Sequence, residues 1–197
     1  MFKKLNKIAT LIMVCISVAF SASAATNSPK KKQAPVKQMS ELDQLRMKMR
    51  SNVDEIEGTK WIYDKATPRY FQKSNCYVYL GQSDHSTWGR FILGFKAERW
   101  VFTNSIIMNI DGERIEVPDI SYSSFTRDNG YEGVWEFVDV PLNGIYRPLA
   151  ERIAASKKTL IRFKGKDRTF DISVSQKQKD SLKRMIRLHD LFNNPSA

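Results

Sequence analysis

Apolar side chains are spaced along the chain so as to divide it into a helical opening, a long β-rich middle and a mixed end. Ser40 is an N-cap residue type, and Glu41 and Asp43 follow it where the positive end of a helix favours acids. Leu42, Leu45, Met49, Val53 and Ile56 then recur at intervals of three and four. That stripe predicts a helix from about Glu41 to Val53, ended ahead of Gly58. From Lys60 to Val140 the pattern shortens to strands. Trp61–Tyr63, Cys76–Leu80, Phe91–Phe95 and Trp100–Phe102 read as short β segments. Ser105–Ile110 and Glu113–Val117 flank Asp111-Gly112, a pair suited to the two positive φ angles of a type I′ hairpin turn. Glu132–Val140 predicts a further strand, closed by Pro141.

The end of the chain alternates helix and hairpin. Pro148 suits a first helical turn, and Leu149, Ile153 and Ala154 form a short apolar face up to about Ser156. Thr159–Phe163 and Arg168–Val174 are two strands joined by Lys164-Gly165-Lys166-Asp167. Ser175 and Gln178 fit a capping box. Leu182, Met185, Ile186, His189 and Phe192 then mark one face of a helix of about 16 residues, stopped near Asn193-Asn194-Pro195. The predicted fold class is α+β: a mainly antiparallel β-sandwich or curved sheet packed by an N-terminal helix, a short helix and a C-terminal amphipathic helix.

The start of the chain changes the compartment. Lys3, Lys4 and Lys7 precede the uncharged run Ile8–Phe20, and Ala22-Ser23-Ala24 supplies a small-residue cleavage site. Residues 1–24 therefore read as a signal peptide, with cleavage after Ala24. The run is shorter than the roughly 20 residues of a membrane span, so no stable span is expected after cleavage. Val14 stands before Cys15 where a lipid-attachment cysteine has a small residue. Residues 25–38 are a basic flexible linker and 39–194 a single β-rich domain. The expected location is periplasmic or secreted. Cleavage leaves Cys76 as the single thiol, either a buried apolar side chain or an intermolecular link.

Charge then needs rereading. The whole chain holds 32 Lys and Arg against 21 Asp and Glu, formally +11. Without the signal peptide it is +8, as 29 basic against 21 acidic residues, unevenly placed: +5 over residues 25–50, −5 over 51–146 and +8 over 147–192. An exported chain rarely meets nucleic acid, so an anionic protein or envelope surface is the expected partner. The candidate binding residues are Arg162, Lys164, Lys166 and Arg168 around one hairpin tip, with Lys177, Lys183, Arg184 and Arg187 on the last helix. The long loop Asp119–Tyr131 adds Tyr122, Phe125, Arg127 and Tyr131, residue types suited to adaptable recognition.

Catalytic signals are thin. Ser83-Asp84-His85-Ser86 holds a base, a carboxylate and hydroxyls, and Cys76 offers a thiol, but no nucleophile elbow accompanies them. Glu132 and Glu136 share a strand face about 13 Å apart, too far for a glycosidase pair, and read as acids on a wet face. Asp111-Gly112-Glu113 and Asp128-Asn129-Gly130 are turns rather than calcium loops. His189 reads as a hydrogen-bonded core or rim histidine. No catalytic residue, metal or cofactor is assigned. The sequence points to an exported, non-enzymatic binding or accessory protein of a bacterial-type envelope. The alternatives are an envelope hydrolase centred on His85 and a structural subunit joined through its N-terminal helix or Cys76.

Overall fold

The period-2 segments fold into two antiparallel sheets in a computed structural model that describes residues 39–194. The predicted signal peptide and linker lie outside the described residues. In chain order the strands are β1 (Met49–Asp54), β2 (Thr59–Asp64), β3 (Asn75–Gln82), β4 (Thr87–Ala97), β5 (Ser105–Ile110), β6 (Glu113–Glu116), β7 (Thr126–Gly130), β8 (Gly133–Pro141), β9 (Thr159–Lys164) and β10 (Thr169–Ser173). The helices are α1 (Glu41–Met47), α2 (Tyr146–Ala155) and α3 (Gln176–Asn193). One sheet has six strands in the order β1-β2-β3-β4-β8-β7, and the other has four in the order β10-β9-β5-β6.

Alternation decides which face is core. In β3, Cys76, Val78 and Leu80 point inward and are buried, while Tyr77 and Tyr79 point outward. In β4, Phe91, Leu93 and Phe95 take the inner face. Phe95 joins the sheets, with its ring centroid 4.8 Å from Phe163 of β9 and 4.5 Å from Phe170 of β10. The rest of the inner face of the large sheet is covered by α3, which packs on β2, β3 and β4 with α2 beside it. Leu182, Met185 and Leu188 are buried there, each contributing about 2 kcal/mol by leaving water. On the outer face Trp61, Tyr63, Tyr79 and Trp88 lean on one another, and the Tyr79 hydroxyl donates to Asp139 at 2.6 Å.

Several expectations hold in detail. Asp111 and Gly112 take φ of 52° and 97°, both positive as a type I′ turn requires. Ser175 and Gln178 form the reciprocal capping box that starts α3. Three differ. The first helix stops at Met47, because Met49–Asp54 pairs with β2 instead. Ser51, Asn52 and Val53 are weak helix formers, and a ladder of main-chain bonds outweighs the stripe. Trp100-Val101-Phe102 is not a strand. The loop Asp119–Tyr131 holds a 3₁₀ turn at Tyr122–Ser124 and the edge strand β7, which pairs with β8.

Charged side chains fasten the helices. Lys179 is buried, and its ammonium donates to the Ser156 and Lys157 carbonyls at 3.2 and 2.7 Å, at the negative end of α2. Arg184 donates to buried Asp64 at 2.6 Å. Arg147 donates to Asp190 at 2.7 Å and to Glu151 at 2.9 Å, and lies 3.2 Å from His189 Nδ1. Burial, and then the Arg147 charge, holds the His189 imidazole below its ordinary value of 6.5. Protonation therefore favours the unfolded chain. The His189 contribution to stability is complete above 6.5 and is lost as pH falls below it toward the lowered folded value. Between about pH 7.5 and 5.5, urea unfolding of His189→Gln should lose less stability than that of the native chain; equal losses would remove His189 as the cause.

Candidate functional site

The segment Arg99–Asn104 lies outside the ladders of both sheets, yet its main chain is fixed. The N–H groups of Val101, Phe102 and Thr103 donate to the Glu136 carboxylate at 2.7, 2.9 and 2.8 Å. Glu136 is 0% exposed, on the inward set of β8 with Val134, Val138 and Val140. It does not lie on a wet face. Glu132 falls in the turn before β8 and pairs with Lys96, whose ammonium holds the Glu132 carboxyl below its ordinary range. Arg127 approaches Glu136 at 3.5 Å and donates to the main-chain carbonyls of Thr103, Tyr122 and Phe125 at 2.6, 3.0 and 3.3 Å. These partners balance the desolvation of a buried carboxylate. They also hold Phe102 at φ 54°, an unfavourable left-handed conformation for an aromatic residue, with its side chain 51% exposed. Trp100 stacks beside it at 5.9 Å and 20°.

The β9–β10 turn seats on this segment. Asn104 donates its N–H to the Lys164 carbonyl at 2.8 Å. A Cβ on Gly165 would lie 2.0 Å from the Val101 carbonyl oxygen, so only glycine allows the approach. Two cavities flank the junction. One, of about 600 Å³, lies between the end of β4 and the start of β10 and is lined by Lys73, Lys96, Arg168, Thr169 and Phe170 among others. The second, of about 850 Å³, is walled by Trp100, Phe102, Tyr122 and Lys166. Glu98, Arg99, Val101 and Arg168 line both, so the two form one groove with two guanidinium groups and one carboxylate at its middle. A third cavity of about 590 Å³ shares Lys73, Lys96 and Glu132 with the first and extends to Tyr70 and Tyr131.

The residues expected to bind fall into two groups. Lys164, Lys166 and Arg168 are exposed at the tip without an acidic partner among the described residues. Arg162 is instead held by both oxygens of Asp171 at 2.8 and 2.6 Å, which lowers the Asp171 carboxyl. Arg184 is tied to Asp64, and Arg187 to Glu41 at 2.9 and 2.7 Å. Lys177 and Lys183 are exposed on α3, but the five residues of β10, about 17 Å of strand, separate the tip from the start of that helix. Neither Lys177 nor Lys183 lines the cavities at the tip. Tyr122 is exposed under the Arg127 guanidinium at 3.9 Å, and Tyr131, 107% exposed, borders the third cavity. Phe125 is buried near Phe163, and Arg127 is the structural hub just described.

Lys73, Lys96, Arg99, Trp100 and Phe102 line the groove but were not among the expected residues. Reading Trp100-Val101-Phe102 as a strand hid them; the adjoining Arg99 with two aromatics two residues apart was the available signal. The catalytic candidates do not assemble. Asp84 and His85 are exposed at the β3–β4 turn, and Ser83 and Ser86 bond each other at 3.2 Å. Cys76 is fully buried toward the far end of β3, and burial pushes its thiol up to about 12. A disulfide to another chain would require opening the core. Asp111 gives its carboxylate to the N–H groups of Lys157 and Lys158 at 3.1 and 2.7 Å, which lowers its carboxyl.

Comparison of the chain with protein-family models, curated proteins and solved structures finds no match. The site must be tested on its own geometry. Glu136→Gln turns an amide N–H₂ toward main-chain donors and should cost about 3 kcal/mol in chemical denaturation. A loss under about 0.5 kcal/mol, within the range of ordinary surface changes, would show that the segment does not depend on this carboxylate.

Proposed function

We propose that this chain is an exported, non-enzymatic binding or accessory module of a bacterial-type cell envelope, which captures an anionic partner in the groove between Arg99–Asn104 and the β9–β10 tip. One observation carries the reading. Arg162, Arg184 and Arg187 are engaged by acids of the same chain, whereas Lys73, Arg99, Lys166 and Arg168 line a groove without an ion-pair partner among the described residues and outnumber its two unpaired acids, Glu98 and Asp167. Cations left unpaired around a concavity attract anions, and low-dielectric walls focus their field. The aromatic wall of Trp100, Phe102 and Tyr122 adds apolar area beside the charge. Lys3, Lys4, the apolar run and Ala22-Ser23-Ala24 support the exported location.

The reading depends on charge, so it depends on salt. Capture of a heparin fragment by the full chain should weaken at least tenfold between about 50 and 500 mM NaCl, where screening lengths fall well below the groove's dimensions. Lys166→Ser with Arg168→Ser should weaken capture at low salt, while Lys177→Ser with Lys183→Ser should leave it unchanged. Capture indifferent to salt, or lost equally in both variants, contradicts the assignment.

A further inference from the structure

We infer that the groove binds an acidic peptide segment as an added strand on the open edge of β10. The inference rests on the anion-binding reading above and names its ligand.

The main chain of β10 shows which groups are open. At one end Gly165 donates its N–H to the Arg168 carbonyl at 2.9 Å, and at the other Val174 donates to the Thr159 carbonyl at 3.0 Å. In the antiparallel register between them, Phe170 and Ile172 are the residues that exchange main-chain bonds with Phe163 and Ile161 of β9. Thr169, Asp171 and Ser173 therefore direct their N–H and C=O groups away from β9. β10 is the edge of its sheet, so no strand among the described residues continues the ladder there. Ser74 closes one end, its hydroxyl donating to the Ser173 carbonyl at 3.4 Å. Thr169 and Asp171 remain, and Thr169 lines the cavity of about 600 Å³.

An open edge that starts at a cavity wall is a template for an extended peptide, whose main chain repeats donors and acceptors at the same spacing. Thr169 to Asp171 spans about 7 Å, enough to register a segment of three or four residues. The charge around the edge selects its composition. Lys73, Lys96, Arg99 and Arg168 line the same cavity, with Glu98 and Glu132 as its acids. Lys96 already answers Glu132, and Arg162 answers the Asp171 carboxylate; Glu98 is then the cavity's one acid without an ion-pair partner among the described residues, against Lys73, Arg99 and Arg168. Alternate side chains of an added strand would face opposite ways. One set meets the apolar floor of Val101 and Phe170, and the other reaches the basic rim. A segment alternating acidic and apolar residues satisfies both. A polysaccharide or polyphosphate can meet the cations but does not continue the ladder.

The test uses the full chain and a short peptide alternating Glu and Val, compared with the same peptide N-methylated on alternate residues along its pairing edge. Charge and side chains match in the two peptides; pairing capacity does not. The native peptide should bind at least tenfold more tightly. It should slow amide exchange at Thr169 and Asp171 without a comparable change at Phe170 and Ile172, whose amides are already bonded. Equal affinity for both peptides would overturn strand addition while leaving anion binding in place. Binding of a heparin fragment with no binding of either peptide would overturn the peptide ligand alone. Failure of all three probes to bind at low salt would overturn this inference and the anion-binding reading together.

Discussion

Burying the Glu136 carboxylate is tolerable because Val101, Phe102 and Thr103 each present an N–H to it and Arg127 stands behind it. The dependence runs both ways. Without the carboxylate, three successive N–H groups of a segment outside either sheet would lack a common acceptor, at a cost of roughly 1–3 kcal/mol for each group left buried and unbonded. With it, the chain between β4 and β5 is fixed, the Phe102 side chain is turned outward, and the β9–β10 turn has a surface to sit on. The same guanidinium that approaches Glu136 collects the carbonyls of Tyr122 and Phe125. One buried ion pair thus connects three stretches distant in sequence, and all three border the groove or its floor.

The basic character of the chain resolves into unlike roles. Lys179 serves as a cap on a neighbouring helix, and Arg184 and Arg187 hold α3 to β2 and α1. These charges are part of the fold, and their number says little about partners. Among the others, one set gathers around a concavity, assembled from the β2–β3 connection, the end of β4 and the hairpin turn. A count of lysines and arginines along the last third of the chain overstates the α3 surface and misses Lys73, Lys96 and Arg99, which come from the acidic middle.

Much of the fold was legible because its signals are local. The Asp111-Gly112 turn, the Ser175 capping box and the alternation of Phe170, Ile172 and Val174 each follow from backbone preferences and side-chain period. Two failures have a common cause. Met49–Asp54 left a helical stripe because it pairs with a second strand, from Asp54↔Thr59 out to Met49↔Asp64, and single-residue propensity does not see that partner. Glu136 looked like an exposed acid because its three donors lie more than 30 residues upstream. At the site, the exposed hairpin cations were visible as a cluster, but their companions were not. Proximity of Lys73 to Arg168 is a product of how the two sheets meet, and no spacing in the sequence records it.

Gly165 sets unequal limits on the hairpin that carries those cations. Its contact with Val101 and the period of β10 fix the length of the turn. Adding or removing one residue between Gly165 and Arg168 would unseat the glycine or send Phe170 and Ile172 to the opposite face. Lys166 and Asp167, both exposed, touch neither constraint. Their charge and shape are free to drift over generations while the loop keeps its size. Under the proposed anion-binding reading, the groove is therefore a place where ligand preference can be rewritten by single substitutions on an unaltered scaffold.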